Sequence, residues 1–266
     1  MEDVQITGRT VRFQVKNLSL INAIRRVMLS NVPVHILAPT ITENISSLKD
    51  EELVKKLRTI HLNQNKLKRK EFVLAVDGPA IVTTNDFTPN TPMPKNAYIT
   101  ALANGEKLRI TAGLELGDPL SSGSYHFSSI AIFGITENLI CTIELLECYS
   151  FRELMELTID ILIGYLAEFP KILELAEYSY SDKHTWHITT ESHRKMTTIY
   201  ELLKHYFHSR TDYICGYSLK QLLIYNDSTF YLGVIPGVIP GEPQEAPQLF
   251  QQAITWITTE LLEFKK

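Results

Sequence analysis

Apolar and polar residues alternate along "TVRFQVK" (10–16), where Val11, Phe13 and Val15 are separated by polar neighbours. A period of two predicts a half-buried strand. The period then lengthens: Leu20, Ala23, Ile24, Val27 and Met28 recur at helical spacing. This predicts a helix with Ser19 as its N-cap and Pro33 shortly beyond its end. Asn22, Arg25 and Arg26 fall together on the opposite side, because positions three and four apart share a helix face.

From about Glu43 to Thr136 the pattern changes. "SSLKDEELVKKLRTIHL" predicts a short helix with Leu48, Leu53, Leu57 and Ile60 as its apolar positions. Strand-like pieces follow ("FVLAV", "AIVTT", "KLRITAGLEL", "SSIAIFGI"), separated by Gly, Pro and Asn turns and by the loop "NDFTPNTPMP". A mainly β unit inserted over 43–137 is the expectation. "NLICTIEL" then predicts a strand, followed by a helix from about Ser150 to Phe169 that Pro170 closes. Leu154, Ile159, Leu162, Ile163 and Leu166 leave that helix little polar surface, the mark of burial on two sides.

"KILELAEYSYSDKH" reads as a connector, with 173–184 as the linker proper. Beyond it the grammar repeats. "TWHITT" is a strand, and "KMTTIYELLKHYF" is a helix with Ile199, Leu202, Leu203 and Tyr206 on one side. "YICGYSLKQLLIY" and "TFYLGVI" are strands about the turn residues Asn226, Asp227 and Ser228. The last helix carries Phe250, Ala253, Ile254, Ile257, Leu261 and Phe264 in one stripe. The fold class expected is α+β. A first, discontinuous unit covers 1–42 plus 138–172 and carries the insert; a smaller second unit covers 185–266. Each has more apolar helix surface than one sheet face can cover, so the helices should pack across the units. Ile24, Val27, Met28, Leu162 and Leu166 are expected to meet Ile199, Leu203, Ile254, Ile257 and Leu261 there.

The net charge of −4 argues against a protein whose main business is gripping a phosphate backbone. Lys66, Lys68, Arg69 and Lys70 form one basic cluster, read as a solvated loop. Cys141, Cys148 and Cys215 are odd in number and lack metal-ligand spacing, which points to a reducing compartment instead of a disulfide framework. No N-terminal signal pattern appears, and the apolar runs fall short of the roughly 20 residues a span requires. An intracellular soluble protein is expected.

Candidate chemistry is sparse. His184 with His187, and His205 with His208, are spaced i, i+3, which a metal could use. No H-E-x-x-H arrangement or neighbouring Cys supports them, so they read as surface or interface residues. Asp50, Glu51 and Glu52 sit where a helix dipole favours negative charge. "GLELGDPLSSGS" and "GVIPGVIPGEP" match neither a P-loop nor a dinucleotide turn, and the repeated "GVIP" reads as a hairpin end or loop. Cys141 reads as core. No catalytic residue, metal or cofactor is expected. A metal-dependent hydrolase using His184, His187 or His205 stands as a rival, as does a free-standing dimerisation module. Spacing alone leaves Asn22, Arg25 and Arg26 either a solvated face or a docking face for carboxylates and carbonyls.

"LINAIRRVMLSNVPVHIL" resembles the signature helix of the RNA polymerase alpha-type subunits: the bacterial alpha subunit, the archaeal D subunit and the third subunit of eukaryotic RNA polymerase II. The family pattern N-A-L-R-R-[VI]-[ML] falls on Asn22, Ala23, Ile24, Arg25, Arg26, Val27 and Met28, with Pro33 after it. "ENISSLKDEELVKKLRTIHLN", "YHFSSIAIF" and "TIELLECYSFRELMELTIDIL" are similar to later family segments. "ITTESHRKMTTIYELLKHYF" and "ICGYSLKQLLIYNDSTFYLGV" resemble the smaller partner of that family, the archaeal L subunit or the eukaryotic eleventh subunit. Glu191 and His193 match its E-D-H-T-L-G-N-L pattern, while Ser192, Arg194, Lys195, Met196 and Thr197 depart from it.

The resemblance implies two alpha-like dimerisation units fused in one chain, as in polymerases of some large DNA viruses. It implies a non-catalytic assembly subunit of a DNA-directed RNA polymerase, with Asn22, Arg25 and Arg26 facing the second-largest subunit. The largest subunit and small polymerase subunits would be further partners, with neither sequence-specific DNA binding nor membrane contact. It implies a cytoplasmic or nuclear location, or for a viral member the virion or viral factory. The family's zinc and iron–sulfur cysteine clusters are missing from this sequence, as is the bacterial C-terminal DNA-binding domain.

Overall fold

A computed structural model describes residues 2–15, 18–89, 92–119, 128–135, 139–145, 149–181, 185–191, 195–210, 213–221, 226–234 and 246–265. The architecture is α+β. One antiparallel sheet runs in the order β1 (Glu2–Thr7), β2 (Thr10–Val15), β10 (Leu139–Leu145), β9 (Ser128–Ile135). Its register sets Phe13 opposite Cys141 and Val11 opposite Ile143, so four apolar side chains share the inner face. Helices α1 (Leu18–Ser30) and α3 (Phe151–Glu174) belong to this half.

The second half has the same plan. Its sheet runs β11 (Glu177–Ser181), β12 (Thr185–Glu191), β14 (Asn226–Val234), β13 (Tyr213–Gln221), with helices α4 (Met196–His208) and α5 (Ala246–Glu263). Helix α1 packs on α4, and α3 on α5, so the halves meet helix to helix. One contiguous core results, uniting Val11, Phe13, Cys141 and Ile143 with Ile188, Phe230 and Leu232 from the opposite sheet.

A separate core lies in the insert. There β3 (Val34–Ile45), β8 (Lys107–Gly117), β4 (Glu71–Asp77) and β6 (Phe87–Thr88) form a sheet beside the pair β5 (Ala80–Thr83) and β7 (Tyr98–Leu102). Helix α2 (Asp50–Arg58) covers it through Leu53 and Leu57. Strand β3 couples the two cores: Val34 and Ile36 enter the shared core, and Leu37 the insert core. Alternation of side chains across a strand makes one element serve both.

Several sequence-based boundaries move. The helix expected to stop at Pro170 continues to Glu174, with a C-cap at Leu175 whose N–H donates to the Ile172 carbonyl while the Ala176 N–H donates to that of Leu173. Proline forfeits one backbone bond, but Phe169 and Leu173 stay buried on either side of it. Burying each such side chain is worth about 1.5–3 kcal/mol, which offsets the loss. The 173–184 linker is therefore replaced by the end of α3 and by strand β11, paired along its length with β12. The 42/43 boundary cuts through β3, which is continuous. Strand β9, assigned to the insert by position, pairs with β10 in the first sheet. Asn226, Asp227 and Ser228 lie in β14, opposite Gln221, Lys220 and Leu219. Ser19 lies inside α1, one residue past its start. His184, Cys148, Ser192, His193, Arg194 and most of the "GVIP" repeat lie outside the described residues.

Candidate functional site

Helix α1 is built so that one side is committed and the other is not. Leu20, Ile21, Ala23, Ile24, Val27 and Met28 are all buried. Asn22, Arg25 and Arg26 are half-buried on the remaining surface. Arg26 holds its Nε out of solvent with no hydrogen-bond partner among the described residues. The positive charge of Arg25 acts on the Cys141 thiol of β10. Burial pushes that thiol up to about 12, against the pull of Arg25, so it is an inert core group at neutral pH. A desolvated guanidinium N–H without an acceptor costs about 1–3 kcal/mol, recovered when a carboxylate or carbonyl is supplied. The face suits an acceptor-rich protein surface.

Beneath it, the residues expected at the contact between halves are all in the shared core: Ile24, Val27, Met28, Leu162, Leu166, Ile199, Leu203, Ile254, Ile257 and Leu261. Aromatic rings add directionality. Phe250 of α5 lies edge-on to Phe169 of α3, Phe207 of α4 and Phe230 of β14, with centroids 5.8–5.9 Å away. Such geometry sets the positive ring edge against the negative face.

Charge pairs stitch the rim of the same contact. Lys195 Nζ lies 2.5 Å from Glu168 Oε2 and sits over the Tyr165 ring, and Lys265 pairs with Asp160. These pairs are solvent-exposed and worth at most about 1 kcal/mol each. Their sequence separations leave no signal in the chain alone.

Among the described residues the histidines do not come together. His205, expected at a surface or interface, is 7% exposed, because its ring packs against Trp256 with centroids 5.1 Å apart while Nε2 bonds Glu260. His208 is exposed one turn on, and His187 lies in β12 between Ser179 and Tyr231. Among the described residues no group of three His, Cys, Asp or Glu side chains is placed to hold a metal ion. No described helix is long and apolar enough to cross a membrane.

The insert is fastened to the first half beside α3. His35 and Gln64 exchange bonds, the His35 N–H donating to Oε1 at 2.9 Å and Nε2 donating to the His35 carbonyl at 3.1 Å. Asn65 donates to Glu153 at 2.6 Å, and Glu153 also closes the capping box of α3 with Ser150. Bonds from Ser150, then Asn65, hold the Glu153 carboxyl below its ordinary value of 4.5. A depressed carboxyl contributes stability above the unfolded-state value and loses it as pH falls through the folded one. Glu153→Gln should therefore flatten the acid limb of a stability profile below about pH 4.5 by about 0.5 kcal/mol or less, the group being exposed. Urea midpoints from pH 3 to pH 7 check this; an unchanged acid limb contradicts it.

No protein-family model matches the chain. A curated relative, DNA-directed RNA polymerase subunit Rpo3 of Methanocaldococcus jannaschii, is 35% identical over 99 residues. The match covers 35% of this chain and 52% of the relative, so the chain spans about half the length of the protein it resembles.

Proposed function

We propose that this chain is a non-catalytic assembly subunit of a multisubunit DNA-directed RNA polymerase, an alpha-like heterodimer contained in one polypeptide. One observation carries the reading. Two halves with the same sheet-and-helix plan share a single core through α1 on α4 and α3 on α5. The likeness to Rpo3 supplies the polymerase context. Within this reading the first half stands for the D-type or third subunit and the second for its smaller partner. Fusion makes their docking unimolecular, with an effective concentration on the order of millimolar for short connections, and holds the ratio at one to one.

The half-buried face of Asn22, Arg25 and Arg26 is then the contact for the second-largest subunit. Nucleotide addition belongs to the large subunits, and this chain contributes geometry. Changing Arg25 and Arg26 together to alanine leaves the shared core intact and removes the two guanidinium groups. Loss of a desolvated interfacial arginine costs about 2 kcal/mol or more, at least about 30-fold in affinity. The expected result is that the variant folds with an unchanged melting temperature but no longer captures large polymerase subunits from its native source, identified by mass spectrometry. Undiminished capture removes that face from the proposal; capture of no polymerase subunit by the unaltered chain removes the function.

A further inference from the structure

Four cations in the insert have no role in the reading above. Lys66, Lys68, Arg69 and Lys70 are all solvent-exposed, in the stretch between the 3-10 turn Gln64–Lys66 and strand β4. None of the four forms a side-chain hydrogen bond or ion pair among the described residues. The carboxylates near the root of the loop are otherwise engaged: Glu153 with Asn65 and Ser150, Glu156 with Arg152, Asp160 with Lys265, and Glu115 with Arg58. Glu71, which follows Lys70, is the exposed acid in sequence contact with the cluster.

The loop is held in place. Gln64 is bonded to His35 and Asn65 to Glu153. Leu67 turns inward against the insert core, in a tight turn with φ −73 and ψ 81 that brings the Lys68 N–H to the Lys66 carbonyl at 2.9 Å. These angles are close to an inverse γ-turn. An apolar anchor inside and exposed cations outside make a fixed basic surface on a chain whose net charge is −4.

We propose that the 64–70 loop is a sequence-independent docking surface for the phosphate backbone of a nucleic-acid duplex. A protein partner would require an apolar or aromatic centre to its contact, and no exposed large apolar side chain lies in the loop. Exposed lysines gain little from isolated carboxylates. They gain considerably from a polyelectrolyte, because each phosphate they neutralise releases condensed counterions. The four residue steps from Lys66 to Lys70 span at most about 14 Å, a length over which a duplex carries about eight phosphates. This surface is separate from the α1 face, and the inference does not depend on the polymerase reading.

The test is fluorescence anisotropy of the full chain with a labelled 20-base-pair DNA of arbitrary sequence, titrated at several salt concentrations. The unaltered chain should bind at about 50 mM salt, with affinity falling steeply as salt rises. The combined variant Lys66→Gln, Lys68→Gln, Arg69→Gln, Lys70→Gln should bind at least tenfold more weakly, with a log–log salt slope smaller by about 3. Lys66→Arg, Lys68→Arg, Lys70→Arg keeps the charge and should retain both affinity and slope. Lys68→Glu with Lys70→Glu, a lighter change, replaces the combined variant if that one has a lowered melting temperature. Three outcomes overturn the proposal: no DNA binding by the unaltered chain, equal binding by the neutralised variant, or tighter binding to poly-L-glutamate than to DNA at the same ionic strength.

Discussion

Phe250→Ala lowers the stability of the shared core by about 3–5 kcal/mol, the usual cost of truncating a fully buried phenylalanine. Phe250 has no exposed surface and touches rings on α3, α4 and β14, so no neighbour can collapse into the space without breaking another contact. The effect should appear on both halves, because Phe169 belongs to the first and Phe207 and Phe230 to the second. Trp186 and Trp256, the two tryptophans of the chain, both lie in the second half and report its unfolding by fluorescence. A urea transition of Phe250→Ala followed at these residues should shift to clearly lower denaturant. A loss below about 1 kcal/mol would show that Phe250 is not a keystone between the halves.

The second large effect comes from cutting the chain between Leu175 and Ala176. Leu175 is 88% exposed and caps α3, two residues before β11 begins, so a break there severs no strand pairing. Residues 1–175 and 176–266, produced together, should co-purify at one to one. Removing the connection replaces an effective concentration on the order of millimolar with the micromolar one of the sample, a loss of about 4 kcal/mol. A contact that buries α1 on α4 and α3 on α5 should survive it. Produced separately, each piece exposes the faces of its helices, including Leu162 and Leu166 or Ile199 and Ile257, and should aggregate. Two soluble, monomeric and independently stable pieces would contradict the shared core.

Much of the site was legible in the sequence as faces. The stripe of Ile24, Val27 and Met28 and that of Ile254, Ile257 and Leu261 are visible as helical periods, and these residues are buried. Asn22, Arg25 and Arg26 were separable from that stripe by angle alone. What could not be read was the partial burial of the arginines, because the depth of a helix face depends on what flanks the helix. The Nε of Arg26 is out of solvent for reasons its neighbours in sequence do not contain. The depth of His205, expected only as a surface or interface residue, is hidden for a related reason: Trp256 and Glu260, which enclose it, lie about fifty residues away on α5.

The misplaced boundaries share one origin. Pro170 has a strong local preference to end a helix, but Phe169 and Leu173 both fit the core between α3 and the second half, and packing outweighed propensity. "EYSYS" alternates as a strand should and is strand β11, although it falls within the stretch expected as a connector.

By itself the sequence determined where helices α1 to α5 lie and which face of each is apolar, and it marked most of the strands, though not β1, β3, β6, β7 or β11. It also determined that the chain is α+β and that its halves follow one plan. These are properties of spacing, and a period of 2 or 3.6 residues is written within a few neighbours. Only the tertiary structure decided that β9 joins β10, that β3 serves two cores, that α1 meets α4, and which carboxylate each cation finds. Those choices are made among surfaces of similar hydrophobicity far apart in the chain. What selects among them is shape and the reach of the backbone, and neither is visible until the chain is folded.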